Sequence, residues 1–308
     1  MADAATVPGS DEARHAPGPE PLWNESWYFD WSQPDGSLGG YVRLGLYPNL
    51  GVAWYWACVV GEGRPLVTVI DHEVPIPAKG LEIRTEGLWA AHNLETPLDH
   101  WSLGCEAFAV GVDDPAETYG SDLRGDRVPF GFDLEWETDG GVYPYPGVDR
   151  YEVPCRVHGE VLVGQERIEI DGPGQRDHSW GVRDWWTYGW SWTSSALDDG
   201  TRTHATQVAY GDDELYSTGY VQPPGGSPEA VAKVARGQEL GREGLPDSGW
   251  VRLDDLELAI EPVAFSPVLL TGPEGQTSRF PRALCRYRAA DGRAGVGWTE
   301  WNQPTAPR

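Results

Sequence analysis

Short apolar or alternating runs, each ended by a Gly, Pro or Asn turn, follow one another along almost the whole chain. Such runs occur at residues 40–47, 52–60, 66–70, 81–89, 203–210 and 284–301. Alternation with a period of two is typical of half-buried strands, and short β-branched runs are typical of strands buried on both faces. The chain of 308 residues also contains 39 glycines and 26 prolines, which disfavour long helices. The pattern predicts an all-β protein.

Consecutive strands of this kind must close into a barrel or pack against a second sheet, because open edges and apolar faces are otherwise exposed. Two antiparallel barrel-like or sandwich halves are the arrangement that we expect for this length. We expect a disordered tail at residues 1–21, an N-terminal β half at 22–170 and a C-terminal β half at 171–308. Residues 227–236 fit either a short helix or a strand.

Charge and cysteine content exclude several classes of function. The formal net charge is −25, which disfavours binding to nucleic acids and to anionic membrane surfaces. No apolar run is long enough to cross a bilayer and no signal peptide is recognisable, so we expect a cytoplasmic protein without membrane insertion. The four cysteines are widely spaced, so we expect them to be reduced and buried, with no metal site.

Residues 176–186, Arg-Asp-His-Ser-Trp-Gly-Val-Arg-Asp-Trp-Trp, hold the strongest functional signal in the chain. Strand alternation places Asp177 and Ser179 on one face and His178 and Trp180 on the other. A histidine among carboxylates and indoles is a candidate proton donor or acceptor, although a core histidine bonded to a carbonyl is the alternative. Asp177 or Asp184 in a tryptophan-walled cavity would have a raised pKa and act as an acid.

The two arginines of this stretch are better explained by structure than by chemistry. Arg176 and Arg183 are predicted to form a buried network with carboxylates and to stack on indoles. Removing Arg183 would then leave a buried carboxylate without its partner. His204, on the strand after the Asp-Gly turn at 199–200, is a weaker catalytic candidate. Glu25 and Glu300 each lie among tryptophans and are interpreted as solvated strand positions.

The stretch from Gly174 to Trp185 resembles the carotenoid hydratase (hydroxyneurosporene synthase) family and the AttH-like lipocalin-type proteins; fungal lipocalin-like cyclases are more distantly similar. The resemblance implies two tandem lipocalin-like β-barrels with a hydrophobic ligand cavity. Hydratases of this family use a His-x-Trp pair, which residues 178–180 match, and a downstream Tyr-x-Asp pair. Where the family has the Tyr-x-Asp pair, this chain has His-Ala-Thr at 204–206, and Tyr-Gly-Asp follows at 210–212. This departure from the family pattern argues against carotenoid hydration itself.

The functional hypothesis is a cofactor-independent hydratase, isomerase or cyclase acting on a terpenoid, steroid-like or polyketide substrate. A carrier of a hydrophobic ligand is the first alternative, and a carbohydrate-binding β-sandwich, suggested by the 16 tryptophans, is the second. The predicted catalytic residues are His178, Asp177, Asp184 and His204. The predicted substrate-binding residues are Trp180, Trp185, Trp186, Tyr210 and Trp27.

Overall fold

The computed structural model describes residues 6–120 and 122–305, and it confirms the all-β prediction. In the described chain, 22 strands and three short 3-10 turns (Gly9–Glu12, Pro115–Tyr119 and Arg242–Gly244) make up the regular structure. None of the helical turns in these residues is long and apolar enough to cross a membrane. All four cysteines are free and buried, as predicted.

Eleven strands form the first sheet. They are β1 (Trp23–Ser32), β2 (Leu38–Tyr47), β3 (Val52–Gly61), β4 (Leu66–Pro75), β5 (Glu82–Thr85), β6 (Leu88–Thr96), β7 (His100–Val112), β8 (Asp126–Thr138), β9 (Tyr143–Pro144), β10 (Arg150–Val163) and β11 (Glu166–Val182). The order β4-β3-β2-β1-β11-β10-β8-β7 closes on itself through pairing of β4 with β7. The first half is therefore a barrel, and buried side chains such as Trp27, Phe29, Trp101 and Trp136 fill its interior.

The remaining strands form the second half. They are β12 (Gly189–Leu197), β13 (Arg202–Tyr210), β14 (Asp213–Gln222), β15 (Glu229–Ala230), β16 (Val234–Leu240), β17 (Pro246–Leu253), β18 (Leu256–Phe265), β19 (Val268–Thr271), β20 (Thr277–Phe280), β21 (Arg282–Ala289) and β22 (Ala294–Pro304). The order β15-β14-β13-β12-β22-β21-β18-β17-β16 makes a curled antiparallel half-barrel. Two tandem lipocalin-like halves, as expected, thus make up the protein.

Aromatic side chains join the two halves. Tyr41 and Trp56 on the outer face of the barrel pack with Trp185, Phe280 and Trp298 in one buried cluster. The Trp298 indole N–H donates to the Trp31 carbonyl at 3.0 Å, which ties β22 to β1. A shared core of this kind fixes the two sheets against each other and defines the space between them.

The motif strand β11 belongs to the first sheet along its full length. It pairs with β10 on one side and with β1 on the other, as far as Val182. The predicted division between residues 170 and 171 falls within this strand, and the chain changes sheets between Val182 and Gly189. Residues 227–236 contain no helix: β15 and the start of β16 occupy half of them.

The prediction of a disordered tail is wrong for residues 6–21; residues 1–5 lie outside the described chain. Glu12 is 1% exposed, and its Oε1 atom accepts a hydrogen bond of 2.8 Å from Arg176 Nη1 inside the barrel. The Trp101 indole N–H donates to the other oxygen of Glu12. A buried guanidinium needs a carboxylate, and this segment supplies it, which composition alone does not reveal.

Candidate functional site

Two glycines position the motif strand. A Cβ atom on Gly174 would lie 2.2 Å from the Asp30 carbonyl oxygen, so the close approach of β11 to β1 requires glycine there. Gly181 has a φ of 114°, a conformation that other residues rarely adopt, and it stands where the strand ends. Both glycines of the motif therefore serve backbone geometry.

The side chains of the motif divide between two faces of β11, as alternation predicts. His178 points into the barrel, where its ring stacks on Trp27 with centroids 4.4 Å apart. Asp177 points toward the second sheet, where its Oδ2 atom accepts a hydrogen bond of 2.8 Å from Arg150 Nη2. The two predicted catalytic neighbours thus belong to different environments and do not act on the same atom.

Inside the barrel, His178 belongs to a group that we call the barrel-end cluster: His15, Glu25 and His178. Glu25 Oε1 lies 3.0 Å from His178 Nε2 and 2.7 Å from His15 Nδ1. Glu25 is 1% exposed, so its interpretation as a solvated position is wrong. Its β1 position is diagonal to His178 on β11, which brings the two side chains together. Burial lowers the pKa of His178 below its ordinary value.

On the other face of β11, an inter-sheet cavity of about 370 Å³ lies between the two halves. Aromatic and aliphatic side chains form most of its wall, and a cavity of this size and lining suits a small hydrophobic ligand. Its lining residues are Tyr145, Val148, Arg150, Val182, Arg183, Asp184, Tyr188, Trp190, Trp192, Thr206, Val208, Tyr216 and Glu300. A larger open cleft of about 650 Å³ lies elsewhere, and charged side chains on its rim, such as Arg156 and Asp171, pair with each other.

Tyr145, His204 and Glu152 form a group that we call the tyrosine triad, in which Tyr145 lines the cavity and the other two are buried behind it. The Tyr145 hydroxyl lies 2.7 Å from His204 Nε2 and 3.0 Å from Glu152 Oε1. His204 Nδ1 lies 2.9 Å from the Thr193 carbonyl oxygen, which only accepts, so Nδ1 carries a proton. Burial lowers the pKa of His204 to about 4, so the ring is neutral at pH 7 and its Nε2 atom is an acceptor.

Glu152 is the second acceptor for the Tyr145 proton. Burial opposes its ionisation, but the interaction with His204, the charge of Arg150 and hydrogen bonds from Trp192 and Gln175 together hold the pKa of Glu152 below its usual value. Arg150 Nε donates to Glu152 Oε1 at 2.8 Å. Burial and the negative charge of Glu152 raise the pKa of Tyr145 well above its ordinary value. One phenolic proton therefore has two acceptors, while the phenolate form is disfavoured.

Asp177 lies behind Arg150, which lines the cavity. Burial raises the pKa of Asp177 to about 7, so this carboxyl group can act as an acid near neutral pH. Of the four predicted catalytic residues, Asp177 and His204 are thus on the cavity side, linked through Arg150 and Glu152. Asp184 lines the cavity, but its Oδ1 atom accepts the backbone N–H groups of Trp186 and Thr187 and caps a turn.

The predicted substrate-binding residues are dispersed. Trp185 and Trp186 are buried between the sheets, where their indole N–H groups donate to the Tyr47 hydroxyl and the Leu270 carbonyl. Trp27 and Trp180 belong to the barrel side, and the Trp180 ring stacks on His15 at 3.8 Å. Tyr210 is 59% exposed at the end of β13. At these positions the predicted substrate-binding residues contribute more to packing than to the wall of the inter-sheet cavity.

The arginine network differs from the predicted one. Arg176 pairs with Glu12, but in the described chain no carboxylate oxygen lies within 4.0 Å of the Arg183 nitrogens. Arg183 Nη2 donates to Ser179 Oγ at 2.8 Å, and burial lowers the pKa of Arg183 to about 10. Glu300 is buried and paired with Arg282 at 2.6 Å, so its interpretation as a solvated position is also wrong. Arg150 takes the role assigned to Arg183.

Asp30 is a buried carboxyl group that the sequence analysis did not select. Burial raises the pKa of Asp30 to about 8, although hydrogen bonds from Gln175, Tyr28 and Ser194 lower it in part. A carboxyl whose pKa is raised by folding stabilises the fold most below its unfolded pKa, near 4, and loses that contribution as the pH rises toward 8. The stability of the native protein should therefore decrease between pH 6 and pH 8.5.

We expect Asp30→Asn to reduce this decrease, because an amide stays neutral and can still accept the Gln175 N–H bond. Melting temperatures at pH 6.0 and 8.5 measure the effect. Asp35→Asn, at an exposed turn, is the control and should follow the native protein. An Asp30→Asn variant as pH-sensitive as the native protein would show that Asp30 does not titrate in this range.

Solved structures show how widely this fold is shared. A putative AttH from Nitrosomonas europaea has a TM-score of 0.64 and 14% identity, with 98% of each chain covered. Kievitone hydratase from Nectria haematococca has a TM-score of 0.65 and 11% identity, covering 98% of this chain and 94% of that chain. CghA, solved with Sch210972, has a TM-score of 0.62 and 10% identity, covering 94% of this chain and 90% of that chain. At these identities the likeness establishes the fold alone.

Sequence comparison places the chain more narrowly. No curated protein matches it significantly. The model of a single family, described as a domain of unknown function (DUF7064), matches residues 8–305, which include both halves and the structured N-terminal segment. The protein therefore belongs to the DUF7064 family.

Proposed function

We propose that this protein is a cofactor-independent acid–base enzyme that transfers protons to and from a hydrophobic substrate in the inter-sheet cavity. The observation that carries the proposal is Tyr145, a residue of the cavity wall whose hydroxyl lies within 3.0 Å of both His204 Nε2 and Glu152 Oε1. A positioned proton donor in an apolar cavity is the minimum that hydration, isomerisation or cyclisation of such a substrate requires.

The tyrosine triad works as a relay. When a substrate proton reaches the Tyr145 oxygen, Tyr145 passes its own proton to His204 Nε2 or Glu152 Oε1 and remains neutral. The reverse transfer returns a proton to another atom of the substrate. A relay suits a phenol whose pKa is raised, because the unfavourable phenolate does not accumulate. Asp177, with a pKa of about 7, is a reserve of an acidic proton behind Arg150.

The names of two structural neighbours support this class of function. One is a hydratase, kievitone hydratase, and the other, CghA, was solved with Sch210972. The substrate that we propose is a hydrophobic molecule of terpenoid, steroid-like or polyketide type, small enough for a cavity of about 370 Å³. The departure from the hydratase Tyr-x-Asp pair leaves carotenoid hydration outside the proposal.

The two alternatives make different demands on the molecule. A carbohydrate-binding surface needs exposed indoles, but Trp250 alone is exposed among the tryptophans of the described chain. A carrier needs the same apolar cavity but no proton relay at its wall. Proton exchange with solvent therefore separates the enzyme from the carrier.

The experiment combines ligand capture with deuterium labelling. Lipophilic compounds that co-purify with the protein, or that it extracts from a lipophilic metabolite mixture, are identified by mass spectrometry and then incubated with the protein in D₂O. We expect catalytic incorporation of deuterium at a carbon atom, or addition of D₂O, in a bound compound. Binding without any solvent-derived deuterium over many equivalents would identify the protein as a carrier.

A further inference from the structure

We propose that the barrel-end cluster of His15, Glu25 and His178 is a binding site for a divalent cation of the zinc type. One ligand atom from each side chain lies within 4.8 Å of the other two. Two imidazole nitrogens and one carboxylate are a frequent three-residue zinc set, which leaves a fourth position for water. This site lies inside the barrel, on the opposite face of β11 from the inter-sheet cavity, and it is independent of the proposed function.

The ligand spacing is close to what zinc requires. Zinc bonds to imidazole nitrogen and carboxylate oxygen are about 2.0–2.2 Å long, so tetrahedral ligand atoms lie about 3.3 Å apart. Glu25 Oε1 lies 3.0 Å from His178 Nε2 and 2.7 Å from His15 Nδ1. To admit the ion, these two pairs must move apart by a few tenths of an ångström. The two histidine nitrogens, which lie within 4.8 Å of each other, must also come to a similar spacing, and side-chain rotation can supply both movements.

The surroundings of the cluster also suit a metal site. The Tyr151 hydroxyl lies 3.2 Å from His178 Nδ1 and 3.5 Å from the Asp11 carbonyl oxygen, to which it can donate. The Tyr151 oxygen can thus accept a hydrogen bond from His178 Nδ1–H, and in this tautomer the Nε2 lone pair is directed at the cluster. The backbone N–H of His15 bonds the Glu25 carboxylate at 3.0 Å and fixes its plane. These contacts orient two of the three ligands before an ion arrives.

The position of His15 suggests what the ion does. His15 belongs to the N-terminal segment, whereas Glu25 and His178 lie on neighbouring strands of the barrel. A shared ion would fasten this segment to the barrel beside the buried Glu12–Arg176 pair. The His15 side chain is 24% exposed, which gives an ion a route from solvent, and the net charge of −25 attracts cations.

This inference departs from the expectation of no metal site. That expectation considered cysteines and local histidine spacing, whereas these ligands come from three distant parts of the chain, and His15 was assigned to a disordered tail. The cluster is visible only once the N-terminal segment is placed against β1 and β11.

The test uses the full-length protein without an affinity tag, stripped with EDTA. We expect calorimetric titration to show one Zn²⁺ per chain, Co²⁺ to give visible absorption bands typical of a nitrogen- and oxygen-ligated site, and Zn²⁺ to raise the melting temperature. His15→Ala and Glu25→Gln should each weaken Zn²⁺ binding at least about tenfold and abolish the cobalt bands. His15 lies outside the sheets, so His15→Ala tests the site without depending on strand packing.

His100→Ala is the matched control. His100 also contacts a carboxylate, with Nε2 2.5 Å from Glu135 Oε2, but it stands outside the cluster and should leave binding unchanged. Absence of stoichiometric Zn²⁺ binding in the native protein would overturn the proposal. So would His15→Ala and Glu25→Gln variants that bind Zn²⁺ as tightly as the native protein, since the ion would then lie elsewhere.

Discussion

Replacing Tyr145 with phenylalanine should lower turnover by about 10²- to 10⁴-fold, the usual contribution of a positioned acid–base group. The hydroxyl is the only part of the side chain that is removed, so the cavity keeps its shape and its apolar wall. Glu152 keeps its hydrogen bonds from Arg150, Trp192 and Gln175. The loss of folding stability should therefore stay near 1–2 kcal/mol, the cost of a disrupted buried hydrogen bond.

Three quantities are measured for each variant: the rate of deuterium incorporation into, or hydration of, the captured compound, the dissociation constant of that compound, and the melting temperature of the protein. Tyr143→Phe is the matched control, because its buried hydroxyl bonds Thr218 at 2.7 Å rather than a titratable group. Tyr145→Phe should lose turnover and keep binding, while Tyr143→Phe keeps both. Equal turnover in the two variants would exclude Tyr145 as the proton-transferring group.

The fold and the division of the motif were accessible from the sequence because both depend on local periodicity. Alternating strands ended by Gly and Pro predicted two β halves, and the same alternation placed Asp177 and His178 on opposite faces of β11. The stretch at 227–236, which fitted either a helix or a strand, contains strands like the segments around it. Alternation along a strand determines which face a side chain occupies, and for β11 it was sufficient to assign Asp177 and His178 correctly.

The partners across each face were not accessible, because sheet closure brings distant segments together. Glu12 and Arg176 are 164 residues apart, and Tyr145 and His204 are 59 apart. Tyr145 stands in a Tyr-Pro-Tyr-Pro sequence that gives no sign of chemistry by itself. His204 was selected, but only the pairing of its sheet against the barrel supplies the phenol and the carboxylate. Arg183 was predicted to pair with a buried carboxylate, but the buried carboxylates Asp177 and Glu152 pair with Arg150.

Replacing Arg150 with methionine should therefore destabilise the protein by about 3–5 kcal/mol, the cost of leaving buried carboxylates without their cation. Arg150 donates to both Asp177 and Glu152 at 2.8 Å, and its guanidinium lies over the Tyr145 ring at 5.2 Å. Methionine retains much of the apolar stem, so the change isolates the charge. The effect should be larger at pH 8 than at pH 6, because Asp177, whose pKa is about 7 while Arg150 is present, is largely ionised and gains from this pairing only at the higher pH.

Arg183→Met is the matched control, since Arg183 lines the same cavity but donates to the neutral Ser179 hydroxyl. Its removal should cost about 1–2 kcal/mol with little dependence on pH, because no ionised partner is left behind. Urea unfolding of both variants at pH 6 and pH 8 measures the difference. If Arg183→Met were the more destabilised protein, the guanidinium that neutralises Asp177 would be Arg183, and the buried charge network would be organised as the sequence first suggested.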